Sequence, residues 1–112
     1  MNLKESTRWF VVIAEHPPNI CPHSNSIVRK KYEVLREQEY EMAKKLNVER
    51  VFAGIAVPEH KTFMVFKAPS FEAVRSLMVQ TGFVQTDEVT IRQVETYDEF
   101  GEEMKTGPKP IF

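Results

Sequence analysis

Three histidines and a single cysteine are the residues of this chain best suited to chemistry near neutral pH, and three of these four stand within eight positions. The stretch His16 to His23 reads HPPNICPH, so His16, Cys21 and His23 lie on a segment stiffened by Pro17, Pro18 and Pro22. The third histidine, His60, follows Pro58 and Glu59. Imidazole and thiolate bind transition metals, and they also serve as acid, base or nucleophile at physiological pH. Zinc, nickel and copper accept this mixed nitrogen and sulfur donor set at about 2.0–2.3 Å. His16 and His60 are the preferred ligands, then Cys21, then His23 as a loop residue free to point into solvent, with Asp87 or Glu88 in reserve. The spacing H-x4-C-x-H matches no standard zinc pattern, and Pro22 restricts how Cys21 and His23 can turn toward one ion.

Other chemistries use the same residues. Cys21 lies just before the first candidate helix cap, where helix-end amides and a nearby imidazolium favour thiolate. His16 or His60 could also shuttle a proton to or from a small apolar ligand in a pocket walled by Trp9, Phe63, Met64 and Phe66, as in a cofactor-independent small-molecule enzyme. Whether the chain is an enzyme is left open by the sequence. The bland reading, a structural or interaction module, treats Cys21 as a small buried hydrophobe and the strand aromatics as packing.

The elements that must position these groups follow from periodicity. Arg8 to Glu15 (RWFVVIAE) has the aromatic and β-branched density of a strand, with Trp9 to Ala14 apolar on both faces. Ser24, Asn25 and Ser26 can cap a long helix whose stripe is Val28, Tyr32, Leu35, Met42, Ala43 and Leu46, with Asn47 as its stop. That stripe weakens near Gln38 and Glu39, which predicts looser packing there. Val48 to Val57 and His60 to Ala68 read as a hairpin turning at Pro58 and Glu59. A second helix starts after Pro69 and Ser70 and stops at Gly82, with Phe71, Val74, Leu77 and Met78 on its apolar face. Val89 to Val94 is a fourth strand, Tyr97 to Met104 a short helix, and TGPKPIF an arm whose Ile111 and Phe112 could dock on a neighbour.

The resulting order, βαββαβ, predicts an α+β, ferredoxin-like fold, a four-stranded antiparallel sheet with two helices on one face. It forms a single domain over 1–112, with its core at about 7–96 and a C-terminal extension at 97–112. Sheet order 4-1-3-2 would bring His16, His60, Asp87, Glu88 and the HPPNICPH loop to one rim. Two helices cover one sheet face only, so the other apolar face calls for a second copy of the chain, a homodimer through the sheets.

Composition narrows the partners. Apolar residues make up 42% and charged residues 28%, with a formal net charge of −1, and no run reaches the ~18 apolar residues of a membrane span. The densest basic cluster, Arg29-Lys30-Lys31, is followed by Glu33, so neither nucleic acid nor membrane is the expected partner. The apolar run Trp9 to Ala14 is followed by Glu15 and His16 rather than a cleavage site, and a single cysteine cannot form an internal disulfide. Both point to a cytoplasmic protein.

The second half of the chain carries a resemblance. HKTFMVFKAPSFEAVR and TGFVQTDEVTIRQV are similar to a small domain family of uncharacterised function, within the dimeric α/β-barrel superfamily, that includes nickel-binding members. A histidine opening the third strand, Ala-Pro and Glu-Ala-Val-Arg at the second helix, and Gly-Phe at its end correspond to His60, Ala68, Pro69, Glu72, Ala73, Val74, Arg75, Gly82 and Phe83. The resemblance implies a dimeric α/β barrel and, from its nickel-binding members, nickel as one metal; the superfamily also hosts enzymes of the monooxygenase and isomerase kind. It does not extend to HPPNICPH, whose ligand candidates stand on residue chemistry alone.

Overall fold

A computed structural model of the protein describes residues 7–106; the expectations for residues 1–6 and for the end of the TGPKPIF arm fall outside them. The architecture is α+β. Strand β1 (Arg8–Glu15) leads through a 3-10 turn at Pro18–Ile20 into helix α1 (Ser26–Lys45). Then come β2 (Glu49–Ala56), β3 (Lys61–Ala68), α2 (Phe71–Gln80), the single turn α3 (Phe83–Thr86), β4 (Glu88–Val94) and α4 (Tyr97–Thr106). The strands form one sheet in the order β2-β3-β1-β4, with every neighbouring pair antiparallel. This is compatible with a ferredoxin-like arrangement.

Local chemistry sets the element ends. The Asn25 side chain accepts hydrogen bonds from the amides of Ile27 and Val28 and so caps α1. Lys44 and Lys45 in its last turn complement the helix dipole, and Asn47 leaves the helix at a φ of 57°. Ser70 caps α2 through the Ala73 amide, and Gly82 follows at a φ of 79°, a conformation costly for a residue with a Cβ.

Alternation along the strands divides the sheet. Phe10, Val12 and Ala14 of β1 and Met64, Phe66 and Ala68 of β3 point to the helix side and are fully or almost fully buried against Val74, Leu77 and Met78 of α2 and Ala43 of α1. The opposite face carries Trp9, Val11, Ile13 and Val65, all half-buried, together with Phe63 and Phe52, which are 37% and 57% exposed. The pairings Val11↔Val65, Ile13↔Phe63 and Phe52↔Val65 make these residues neighbours. An apolar face therefore lies open, as the strand composition predicts.

The weak part of the α1 stripe also has a structural counterpart. Glu39 is buried, and its Oε2 takes a hydrogen bond of 2.9 Å from Nη1 of Arg50, which precedes a bulge in β2. An ion pair replaces apolar contact there, and a cleft of about 490 Å3 opens between α1 and the β2–β3 hairpin.

Candidate metal centre

Antiparallel pairing builds the site. Glu15 pairs with Lys61 on one side and with Glu88 on the other, so the end of β1 lies between the starts of β3 and β4. One residue beyond the ladder, the His16 amide donates to the His60 carbonyl at 3.2 Å. The two rings meet edge to face, with centroids 5.5 Å apart. His60 ends the Val57–His60 turn with a φ of 57°, a conformation unfavourable for a non-glycine residue and one that turns the chain directly into β3.

The loop is tied down around Cys21. Its amide donates to Pro18, its carbonyl accepts from the amides of Ser24 and Asn25, and the Arg29 guanidinium donates to the carbonyls of Pro22 and His23 at 2.9 and 2.8 Å. The Cys21 side chain turns inward and is buried, while His23 is exposed at the cleft mouth.

His16, Cys21 and His60 consequently converge, each offering one donor atom, and these atoms all lie within 4.8 Å of one another. Donors around a tetrahedral ion with bonds of 2.0–2.3 Å stand about 3.3–3.8 Å apart, so the widest pair must close by about 1 Å, within the reach of small side-chain rotations. His23, the fourth ligand named from the sequence, stands outside the group. Asp87 is buried and holds a ligand rather than joining the set, and Glu88 is exposed.

The role of Asp87 follows from its hydrogen bonds. Its Oδ2 accepts from Nδ1 of His16 at 3.1 Å, and its Oδ1 accepts from the Tyr32 hydroxyl and, at 2.7 Å, from Thr86 Oγ1. A carboxylate only accepts, so Nδ1 of His16 carries the proton and Nε2 of the neutral ring presents a lone pair. Among the described residues that Nε2 is buried without a hydrogen-bond partner, and so is Nδ1 of His60. Two orphaned ring nitrogens beside a buried thiol are costly unless something satisfies them. The chemistry of this donor set fits a transition metal.

Electrostatics favour a thiolate beside a protonated imidazole. Burial alone would raise the Cys21 thiol, but His16, the His23 amide and His60 outweigh it and lower its pKa to about 7. For His16, burial works toward a lower pKa, yet Cys21 and Asp87 leave it above the ordinary value of 6.5. Burial and then Asp87 push the Tyr32 phenol well above its usual range, so it stays a donor to the carboxylate.

Other groups differ from the sequence reading. Met64 lines the cleft, but Trp9 and Phe63 face the opposite side of the sheet and cannot wall it, because side chains alternate along β1 and β3. Tyr32 packs against the core as its stripe position predicts, and Arg29 is exposed. The hydroxyl bond of Tyr32 to Asp87 and the grip of Arg29 on the Pro22 and His23 carbonyls are contacts that helical spacing does not encode.

No protein-family model matches this sequence, and no curated protein sequence does. Among solved structures the chain is similar to a REP-associated tyrosine transposase bound to a REP hairpin, with a TM-score of 0.51 and 9% identity over 87% of this chain and 61% of the other. The chain thus spans about three fifths of that protein's length, and at this identity the likeness concerns the fold alone. An uncharacterized protein from Thermotoga maritima is also similar, with a TM-score of 0.39 and 14% identity over 80% of this chain and 99% of the other.

Proposed function

We propose that this protein binds a transition metal, nickel, zinc or copper, through His16, Cys21 and His60. The observation that carries the reading is the convergence of two buried, unpartnered imidazole nitrogens on one buried cysteine. Three protein donors leave a coordination position for an exogenous ligand, in the manner of open rather than closed metal sites, and the cleft supplies access to it. Asp87 orients His16 and raises its basicity, and Tyr32 and Thr86 orient Asp87. The test is elemental analysis of protein purified without a histidine tag, followed by titration of the metal-free protein with zinc, nickel and copper. Absence of stoichiometric binding of all three would overturn the reading.

The same proposal includes assembly. The open sheet face, with Val11, Ile13, Phe52, Phe63 and Val65, is suited to a second copy of the chain, giving a homodimer of the dimeric α/β-barrel kind. A lone reduced cysteine suits a cytoplasmic setting. Among the described residues no helix is long and apolar enough to cross a membrane.

One observation favours a second reading. Asp87, His16 and Cys21 form a series in which a carboxylate orients an imidazole beside a thiol whose pKa is about 7, the arrangement of a metal-free acid–base or thiol nucleophile site. Metal-free protein that alkylates stoichiometrically at Cys21 while binding no metal would select this reading over the first.

A further inference from the structure

The cleft extends beyond the metal-binding group, and its remaining walls have a chemistry of their own. Ile55 points to the helix side of the sheet, opposite Thr62 of β3, yet it is 67% exposed and lines the cleft with Arg36 and Glu39 of α1. Where the helix would have to supply an apolar side chain, it supplies Arg36 and Glu39. Arg50 faces them from β2, pinned by one nitrogen to Oε2 of Glu39, with its other guanidinium nitrogens uncommitted among the described residues. Among the described residues Arg36 has no ion pair or hydrogen bond there either. The Oε1 of Glu39, a residue only 7% exposed, is likewise buried without a partner among them. Two guanidinium groups with donors to spare, a buried carboxylate oxygen lacking a donor, and an exposed apolar floor thus line one cleft of about 490 Å3, within the size range of small-molecule sites.

We propose that this cleft binds a small organic acid bearing a hydroxyl or amino group next to its carboxylate. Arg36 and Arg50 hold the carboxylate, Glu39 Oε1 accepts from the adjacent donor, and the apolar part of the molecule covers Ile55 and Val57, which are 67% and 49% exposed. Planar guanidinium groups suit a carboxylate, since they offer paired, charge-assisted hydrogen bonds. A buried acceptor left empty discriminates against acids that lack the neighbouring donor. Occupancy of the His16, Cys21 and His60 group by metal is not required, so the two proposals fail independently.

Calorimetric titration of the full-length, metal-free protein tests this with four probes that share a phenyl ring: mandelate, phenylglycine, phenylacetate and benzyl alcohol. Mandelate or phenylglycine should bind saturably, phenylacetate several-fold more weakly, and benzyl alcohol at least about tenfold more weakly. Arg36→Gln, an exposed helix position, should weaken the preferred acid by about tenfold or more, with partial recovery in Arg36→Lys. Equal binding of all four probes, no binding of either substituted acid, phenylacetate binding as tightly as mandelate, or an unaltered affinity in a folded Arg36→Gln variant would overturn the proposal.

Discussion

Nδ1 of His16 donates to Oδ2 of Asp87 across 3.1 Å, joining the end of β1 to the start of β4 between residues 71 positions apart. Both side chains are nearly excluded from solvent, 6% and 0% exposed. This bond fixes the tautomer of His16 and aims its second nitrogen at the Cys21 side of the site. Asp87→Asn keeps the shape but loses the charge. It should lower metal affinity by about 10–100-fold with the circular dichroism of the fold retained, as measured by competition against a chromophoric chelator.

The four sequence candidates should separate into two classes. His16→Ala, Cys21→Ala and His60→Ala each remove a donor from the converging group and should abolish stoichiometric binding, whereas His23→Ala should bind as wild type. Equilibrium dialysis with elemental analysis checks this. A large loss in His23→Ala would mean that the loop rearranges around the ion.

Titration of the metal-free protein should expose the thiolate. Cys21 falls to about 7 from an ordinary 9.0, so its ultraviolet thiolate absorbance should rise with a midpoint near 7. His16→Ala should move that midpoint upward by removing the principal group that favours the charged form. The stability consequences have opposite signs. A depressed thiol stabilises the fold fully above its unfolded value and loses that contribution as pH falls through about 7. The raised His16 stabilises it fully below 6.5 and loses its contribution as pH rises through the elevated value. Because each shift depends on the other group, His16→Ala and Cys21→Ala should each flatten the pH dependence of the denaturation midpoint relative to wild type.

His60 carries backbone strain that glycine would not. With a φ of 57° and an unpartnered ring nitrogen, His60→Gly should raise the stability of the metal-free protein by about 1 kcal/mol while eliminating metal binding. Chemical denaturation checks the first effect and metal titration the second. A destabilised variant would mean that contact with the His16 ring outweighs the strain.

The exposed sheet face gives a test of assembly. Phe63→Glu places a charge at the centre of the proposed sheet-to-sheet contact while leaving the helix-side core untouched, because its neighbours Thr62 and Met64 point the other way. Sedimentation should find a dimer for the wild type and a monomer of native secondary structure for the variant. A monomeric wild type at micromolar concentration would remove the homodimer from the proposal.

Much of the architecture was legible in the residues themselves. RWFVVIAE forms β1 over the span its composition predicts, Asn25 and Ser70 cap α1 and α2, and Gly82 and Asn47 take the left-handed conformations their types favour. These features depend on neighbours a few positions apart, so local sequence determines them. Strand order then brings the end of β1 beside the starts of β3 and β4, and with it His16 beside His60.

Tertiary contacts decided what spacing could not. His23 turns outward where Arg29 grips the loop carbonyls, and Cys21 turns inward. Asp87 becomes the acceptor that orients His16, and Tyr32, while packing against the core, donates its hydroxyl to it. Glu39, which reads as a gap in a helical stripe, is a buried ion-pair partner at the edge of a cleft. Each outcome depends on a hydrogen bond or ion pair that packing brings together. Periodicity determines which face a side chain occupies, but a polar atom buried on that face is satisfied only by whatever group the folded register places within hydrogen-bond reach.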